Sequence, residues 1–436
     1  MSKECVLSKL FISCQKHGYL TPMLSNKNIL GFSYGPLGTE LYRNIVHEWW
    51  NSAVRFANIP VFPSSLSIKE QANFSSLVYD TLQQYYKQTL EWVGGKVPFG
   101  IANIRDYVNT SKIPNENAII DYEEKEIVKA WTPQKWTSLN LFYICSPKKP
   151  FIWLDHWHKH RLNWWRKFIG CPSDLLVTDI SQKEENKHEL DIQYKFPWGI
   201  ETVEKLTNLG SSPMNLLKDK MGIDCNVKDG RKIIVPHMIT CESSLDLAVM
   251  MYLLDAFQEK ERMDKKRQVM KLHFKLVPYK VVIASPASVG NATKVQDLTD
   301  YITMELKKGG ITVFPNPDLN TPASLEFQFA RFDEMGIQYS VIINDNTLKT
   351  GIIGLRNRDT NLKEQVHVTE LKDSLMLYLN IRYLNNFFPI SQLCICPGAQ
   401  WGGQVVVRDD MTYLDRPPLK IFGFSQVIFQ GMSFVQ

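Results

Sequence analysis

Apolar residues recur at helical spacing through Val6, Leu7, Leu10, Phe11 and Cys14, predicting a short helix within Met1–Tyr19, with a loop to follow. Gly31, Gly35, Pro36 and Gly38 then mark a tight turn. Leu41, Ile45, Val46, Trp49 and Trp50 line one side of a helix predicted over Thr39–Phe56. Short apolar runs predict strands at Ile59–Phe62, Val97–Ile104 and Leu139–Cys145, with one or two helices over Ser67–Trp92. Phe151–Phe168 predicts a long helix whose Trp153, Trp157, His160, Trp164 and Phe168 share one face. That stripe reads as core more readily than as a platform for stacking bases. Polar Ser173–Glu189 predicts a loop, Lys232–Ile239 a buried strand and Leu245–Phe257 a buried helix. Basic Gln258–Lys275, ending near Pro278, predicts a linker.

Beyond it the pattern changes. Strands at Lys280–Ala284, Ile311–Phe314, Gln338–Ile343 and Thr350–Leu355 alternate with helices at Gln296–Lys308, Ala323–Met335 and Val368–Leu379. About a hundred residues of such alternation predict a compact α/β domain.

A chain of 436 residues with 44% hydrophobic residues is long enough for two or three domains, each with its own core, and is not a disordered protein. No apolar run approaches the roughly 20 residues that span a bilayer. Eight cysteines, mostly scattered singly, fit a reducing compartment better than a disulfide framework. The first residues carry neither an apolar signal core nor an Arg/Ser-rich leader, so either the chain stays in the cytosol or a leader lies outside this sequence.

The net charge of +5 is modest, but its distribution is uneven. Between Cys145 and Gly170 stand Lys148, Lys149, Lys159, Arg161, Arg166 and Lys167 against Asp155 alone. Between Gln258 and Lys280, eight cations face Glu259, Glu261 and Asp264, with Lys265, Lys266 and Arg267 the densest run. Two basic islands on a mildly acidic body point to an acidic partner, or to two solvated faces.

Chemistry with a recognisable spacing is scarce. The sequence has no GxGxxG, no GxxxxGK[ST] and no GxSxG. His156, His158 and His160 alternate, a spacing that splays side chains apart on a helix. Cys394 and Cys396 lack a second pair to complete a metal site, and nothing calls for a cofactor.

Two segments are specific. FSYGPLGTELYRNIVHEWW, Phe32–Trp50, resembles the opening of the core in glycine–tRNA ligases: a G-P-x-G turn and a helix ending near a Trp pair. ARFDEMGIQYSVIINDNTLKTGIIGLRNRDT, Ala330–Thr360, resembles their C-terminal anticodon-binding domain. PFGIANI at Pro98–Ile104 looks like the strand that opens class II motif 2, and VPHMI at Val235–Ile239 like the strand that enters motif 3.

A second family shares this frame, the accessory subunit of the mitochondrial DNA polymerase gamma, which looks like a class II synthetase without its chemistry. WLDHWHKHRLNWWRKF (Trp153–Phe168), FPWG (Phe196–Gly199), NLG (Asn208–Gly210) and DGRK (Asp229–Lys232) carry the resemblance, which runs from about residue 5 to about residue 380. It implies an α+β fold: a class II synthetase-like antiparallel sheet with helices over residues 1–275, then an anticodon-binding-like α/β domain over 280–380. Residues 381–436, with CICPGAQWGGQ and DRPPLK, match neither family.

Class II enzymes hold ATP with an arginine in an F-R-x-E setting of motif 2 and another ending motif 3, where bidentate forks clamp phosphate. Here PFGIANI is followed by Arg105-Asp106-Tyr107-Val108-Asn109-Thr110, and VPHMI by Thr240-Cys241-Glu242-Ser243-Ser244-Leu245-Asp246-Leu247. Neither setting is present, and Arg105 lies ahead of the expected position. The resemblance therefore implies a non-catalytic processivity subunit that binds the polymerase catalytic subunit and duplex or primer-template DNA in the mitochondrial matrix and nucleoid, with no membrane and no cofactor. Its candidate DNA contacts are Lys159, Arg166, Lys265, Lys266 and Arg267, and its candidate polymerase contacts Gly351, Arg356 and Arg358. The stretch 64–96 is a shortened form of the helical insertion that builds the family's homodimer, so monomer and dimer both stay open. The rival readings are an active glycine–tRNA ligase and a synthetase-derived RNA-binding module.

Overall fold

The computed structural model describes residues 3–25, 28–65, 74–108, 135–148, 150–182, 187–262, 265–286, 292–316 and 323–387. Helix α1 (Lys3–Lys16) buries Leu7, Leu10, Phe11 and Cys14, as the periodicity predicts. The expected loop after it is instead an antiparallel hairpin, β1 (Leu20–Ser25) with β2 (Asn28–Tyr34). Pro22 and Gly31 punctuate these strands and hide them from a propensity reading. The glycine turn leads into α2 (Pro36–Trp50), with Pro36 at its first position, where a missing N–H costs nothing. Gly38 is required by close approach: any Cβ there would fall on the Tyr19 carbonyl oxygen. One turn of π-helix, Asn51–Arg55, completes this element.

The central sheet has seven strands. In chain order they are β3 (Val61–Pro63), β4 (Phe99–Val108), β5 (Lys135–Cys145), β6 (Leu175–Gln182), β7 (Lys187–Phe196), β8 (Gly199–Gly210) and, after the small hairpin β9 (Val227–Asp229) and β10 (Lys232–Ile234), β11 (His237–Ser244). Their spatial order is β3-β4-β5-β11-β8-β7-β6, antiparallel except for β3 with β4. Period-two alternation sends Leu139, Leu141, Tyr143 and Cys145 to one face and Phe142 and Ile144 to the other. The first face packs against α2, α4 (Pro150–Phe168) and α6 (Leu245–Ala256). The second is covered at one end by α3 (Phe74–Trp92) and α5 (Ser212–Met221). The Trp stripe of α4 lies in the core: Trp157, Trp164 and Phe168 are buried, as is Trp165 beside them.

Three further expectations are corrected here. Lys232–Ile239 is not one buried strand: it divides into the exposed β10, a break at Val235–Pro236 and the start of β11. Ser173–Glu189 is not a loop; it holds β6 and the start of β7, which read as polar because β6 is an edge strand with little to bury. The supposed linker Gln258–Lys275 contains the hairpin β12 (Phe257–Arg262) and β13 (Lys265–Met270). Its charges mask the strand alternation.

The C-terminal segment builds a five-stranded sheet from β14 (Val281–Ala284), β15 (Val313–Phe314), β16 (Tyr339–Ile342), β17 (Ile352–Asn357) and β18 (Lys363–His367), in the order β15-β14-β16-β17-β18. The first three are parallel and the last two antiparallel to their neighbours. Helices α7 (Ala292–Lys308), α8 (Leu325–Glu334), α9 (Asp345–Thr350) and α10 (Leu371–Phe387) connect and flank them. This module keeps a core of its own, around Val281, Ile302, Leu355 and Leu375. On its other side, Phe329, Phe332 and Met335 join the same hydrophobic cluster as Leu10, Tyr19 and Met270. Residues 1–379 accordingly form one compact unit. The unmatched stretch from 388 onwards, with Cys394 and Cys396, lies outside the described residues.

Candidate nucleic-acid interface and the central sheet face

The face of the central sheet turned away from α2, α4 and α6 runs over β4, β5, β11 and β8. Part of it is occupied by the protein's own amides. Asn140 donates to Asn103 Oδ1 at 3.0 Å and to Ser138 Oγ at 2.8 Å, and Asn103 donates to Thr81 Oγ1 of α3 at 3.2 Å. Arg105 is buried on β4 across from Ser138. A cleft of about 280 Å³ remains near the strand ends, lined among others by Trp136, Ser138, Thr202, Lys205, Glu242 and Ser244. Among the described residues, Lys205 is the only cation lining it, and its amine is held by Glu189 at 2.8 Å. Partial burial raises the Glu242 pKa above the ordinary carboxylate value. A polyphosphate would meet one neutralised lysine and an acid there.

The strand-to-helix step after β11 is also apolar. Ser244 Oγ caps α6 by accepting the Leu247 N–H at 3.3 Å. Leu245, Ala248, Val249, Met250 and Met251 follow, all buried. Asp246 is fixed by the Tyr34 hydroxyl at 2.6 Å and the Thr137 N–H at 2.7 Å, with its pKa raised by burial. Residues 242–248, which make this turn, include no arginine.

The first basic island is mostly spent internally. Arg161, 1% exposed, donates Nε to Glu204 at 2.7 Å, and Trp165 Nε1 donates to the other oxygen of the same carboxylate. The Arg161 guanidinium also lies over the Trp164 ring, 4.6 Å from its centroid. Lys167 reaches Glu48 of α2 at 3.6 Å, and Lys148 reaches Asp229 at 2.6 Å. The two candidates, Lys159 and Arg166, are indeed exposed, seven residues apart on one side of α4. Lys159 has an exposed partner in Asp155 at 2.8 Å, a pair too solvated to hold it away from a phosphate.

In the second island, Lys265 and Lys266 sit on β13 opposite Arg262 and Glu261 in register, and their side chains lie outside the described residues. Arg267 bonds Glu326 of α8 at 3.0 Å. Lys275 is buried against Glu48 at 3.1 Å. The two islands therefore converge on one carboxylate: Glu48 takes Lys167 from the first and Lys275 from the second. That convergence ties α2 and α4 to the segment entering the C-terminal module.

The C-terminal candidates need correction. Arg356 and Arg358 are 3% and 2% exposed, so neither can meet a partner. Arg356 forms a bidentate pair with Asp333, both bonds at 2.8 Å. Arg358 donates to the carbonyls of Met270, Gly336 and Leu272 at 2.9, 2.7 and 3.1 Å, and to the Gln338 side chain at 3.1 Å. Gly351 closes α9 with φ +72° rather than lying within a strand. The conspicuous R-x-R-D-T pattern is an internal brace.

The antiparallel sheet with its covering helices and the mixed C-terminal module define a class II synthetase-like α+β protein. Residues 280–376 match the family model described as the anticodon binding domain. The chain is 23% identical to glycine–tRNA ligase from Borreliella burgdorferi, over 78% of this chain and 89% of that one. It is 30% identical to the mitochondrial DNA polymerase subunit gamma-2 of Xenopus laevis, over 85% of this chain and 87% of that protein. It is 29% identical to DNA polymerase subunit gamma-2 of Mus musculus, over 79% and 83%. The chain belongs to the DNA polymerase subunit gamma-2 family.

Proposed function

We propose that the chain is a non-catalytic accessory subunit of the mitochondrial replicative DNA polymerase, acting in the matrix nucleoid by holding the catalytic subunit on duplex DNA. The observation that carries this reading is the likeness to the Xenopus subunit across 87% of its length. The loss of enzymatic function is supported by the filled sheet face, the single neutralised lysine of the cleft and the apolar turn into α6. Oxyanion and phosphate clamps of the missing kind are each worth several kcal/mol of transition-state stabilisation, about 3–4 by mutagenesis elsewhere.

The division proposed is a core over 1–275, a module over 280–380 that carries the polymerase contact, and a tail. The contact is assigned to exposed positions of that module, since Arg356 and Arg358 are consumed inside it. Duplex DNA is gripped through phosphates by Lys159, Arg166, Lys265, Lys266 and Arg267. Such contacts release counterions and carry no sequence information, so they slow dissociation while allowing sliding.

The test is primer extension by the catalytic subunit with and without this chain, under single-encounter conditions. Longer products with the chain present are expected; unchanged lengths would overturn the reading. Calorimetric titration with ATP or a glycyl-adenylate analogue should give no heat of binding, and micromolar affinity would restore the ligase reading.

A further inference from the structure

The DGRK motif at Asp229–Lys232 turns out to be the tip of the β9–β10 hairpin, a feature that neither the fold nor the proposed contacts use. Its Lys228, Arg231 and Lys232 side chains are all exposed, and none makes an ion pair among the described residues. The hairpin is not a loose excursion. The Lys228 N–H donates to the Gly95 carbonyl at 2.8 Å, and a bridge pairs Lys228 with Lys96. At the turn end of the same strand, Asp229 accepts from Ser146 at 2.9 Å and from Lys148 at 2.6 Å. These two bonds lower the Asp229 pKa and hold its carboxylate at the tip end of β9 against the end of β5.

Helix α5 precedes the hairpin and adds exposed Lys218 and Lys220, the latter 5.3 Å from the Tyr79 ring of α3. The surface so assembled carries Lys96, Lys148, Lys218, Lys220, Lys228, Arg231 and Lys232. Its carboxylates are Glu91, Asp219, Asp224 and Asp229, so cations are in excess by three. Ile233 stands beside Lys232 at 72% exposure.

We infer that the β9–β10 ribbon is a duplex-DNA contact, a third basic surface distinct from α4 and β13. The inference rests on the duplex-binding reading above and gives it a second location. A two-stranded ribbon is narrow enough to enter a major groove about 12 Å wide. Its cations flank the turn, where they meet the phosphates of the groove walls, and Ile233 supplies an apolar contact to base edges. The ribbon has no aromatic side chain, so it offers single-stranded bases no stacking platform, and duplex is the form it suits.

The experiment uses the full chain with Lys228→Ala, Arg231→Ala and Lys232→Ala combined, titrated with two unrelated duplexes across a salt series. Affinity should fall equally on both, and the slope of log K against log salt should flatten by roughly 2–3, at about 0.9 per phosphate contact. A companion carrying Gln at the same three positions keeps polar stems and should flatten equally, which separates charge from folding. A slope unchanged from wild type in both variants overturns the ribbon contact. If Lys159→Ala with Arg166→Ala flattens the slope in that case, duplex binding stands and only its placement here fails. Wild type without salt-dependent duplex binding removes both. Loss of catalytic-subunit capture without DNA, at an unchanged slope, would make the ribbon a protein contact and overturn the inference.

Discussion

Between Cys145 and Gly170, six cations face a single carboxylate in the sequence, yet Lys148, Arg161 and Lys167 end on acids supplied by distant elements. Between Lys218 and Lys232, five cations are diluted by three aspartates, yet all five are exposed and none forms an ion pair among the described residues. The richer island is largely structural, and the poorer stretch presents its charge to solvent. Local charge counts cannot see Glu48 or Glu204, which are folded in from α2 and β8. What decides is whether a cation lies on the buried side of its element: Arg161 sits among the Trp positions of α4, whereas Lys159 and Arg166 do not.

The sharpest way to break this contrast is at Arg161. Arg161→Ala would leave the buried Glu204 carboxyl with Trp165 as its remaining donor among the described residues. A cost of about 3–5 kcal/mol is expected, as for other buried pairs that lose one partner. Urea unfolding measures it. A loss below about 1 kcal/mol would mean that Arg161 is as dispensable as a surface cation.

A pH series tests the same wall of α4. His160 is pushed down to about 4 by burial first, then by the neighbouring Arg161 and His156 charges. The folded state therefore keeps a neutral ring while the unfolded chain takes up a proton below its ordinary value of about 6.5. Stability is complete above that value and is lost as pH falls towards 4, by up to about 1.4 kcal/mol per pH unit. Wild type should lose on the order of 2 kcal/mol more than His160→Gln between about pH 7 and about pH 4.5. Parallel acid titrations of the two proteins would leave the ring exposed and unremarkable.

How much of this was legible beforehand follows from where the signal lives. The helices α2 and α4 were readable because a one-sided apolar stripe is a local property, and α6 because its apolar run is continuous. The hairpins β1–β2, β6–β7 and β12–β13 were not, since an edge or free ribbon buries too little to write an alternation, and Pro22 and Gly31 contradict the strand outright. The absence of an F-R-x-E after Ile104 and of an arginine in the stretch after Ile239 was readable as sequence pattern. The amide ladder through Asn103, Asn140 and Thr81 was not, because its members come from three separate elements. The strongest C-terminal pattern was misread as a contact: Arg356 and Arg358 stand out in sequence because a buried bidentate pair and a fan of carbonyl bonds demand arginine itself.

Gly351 sharpens that last point with a smaller effect. Its φ of +72° ends α9, and a Cβ there would crowd the His367 ring. Gly351→Ala should cost about 1–2 kcal/mol in denaturant unfolding, through left-handed backbone strain and a displaced ring. Polymerase stimulation at a temperature where the variant is folded should be unchanged. A variant of full stability that no longer stimulates would return Gly351 to the contact surface.

The smallest stability effect belongs to the exposed side of α4. Lys159 and Asp155 form a solvated i,i+4 pair, worth about 0.3–0.5 kcal/mol by comparison with similar pairs. Arg166 has no carboxylate partner among the described residues. Replacing both by Ala should therefore move the urea midpoint hardly at all, while flattening the salt slope of duplex binding by roughly 0.9 for each phosphate contact removed. The two readouts must separate, because a cation that does no internal work is free to do external work. A double variant that loses more than about 1 kcal/mol would place these residues with Arg161, as part of the scaffold, and leave the β9–β10 ribbon and β13 to hold the duplex.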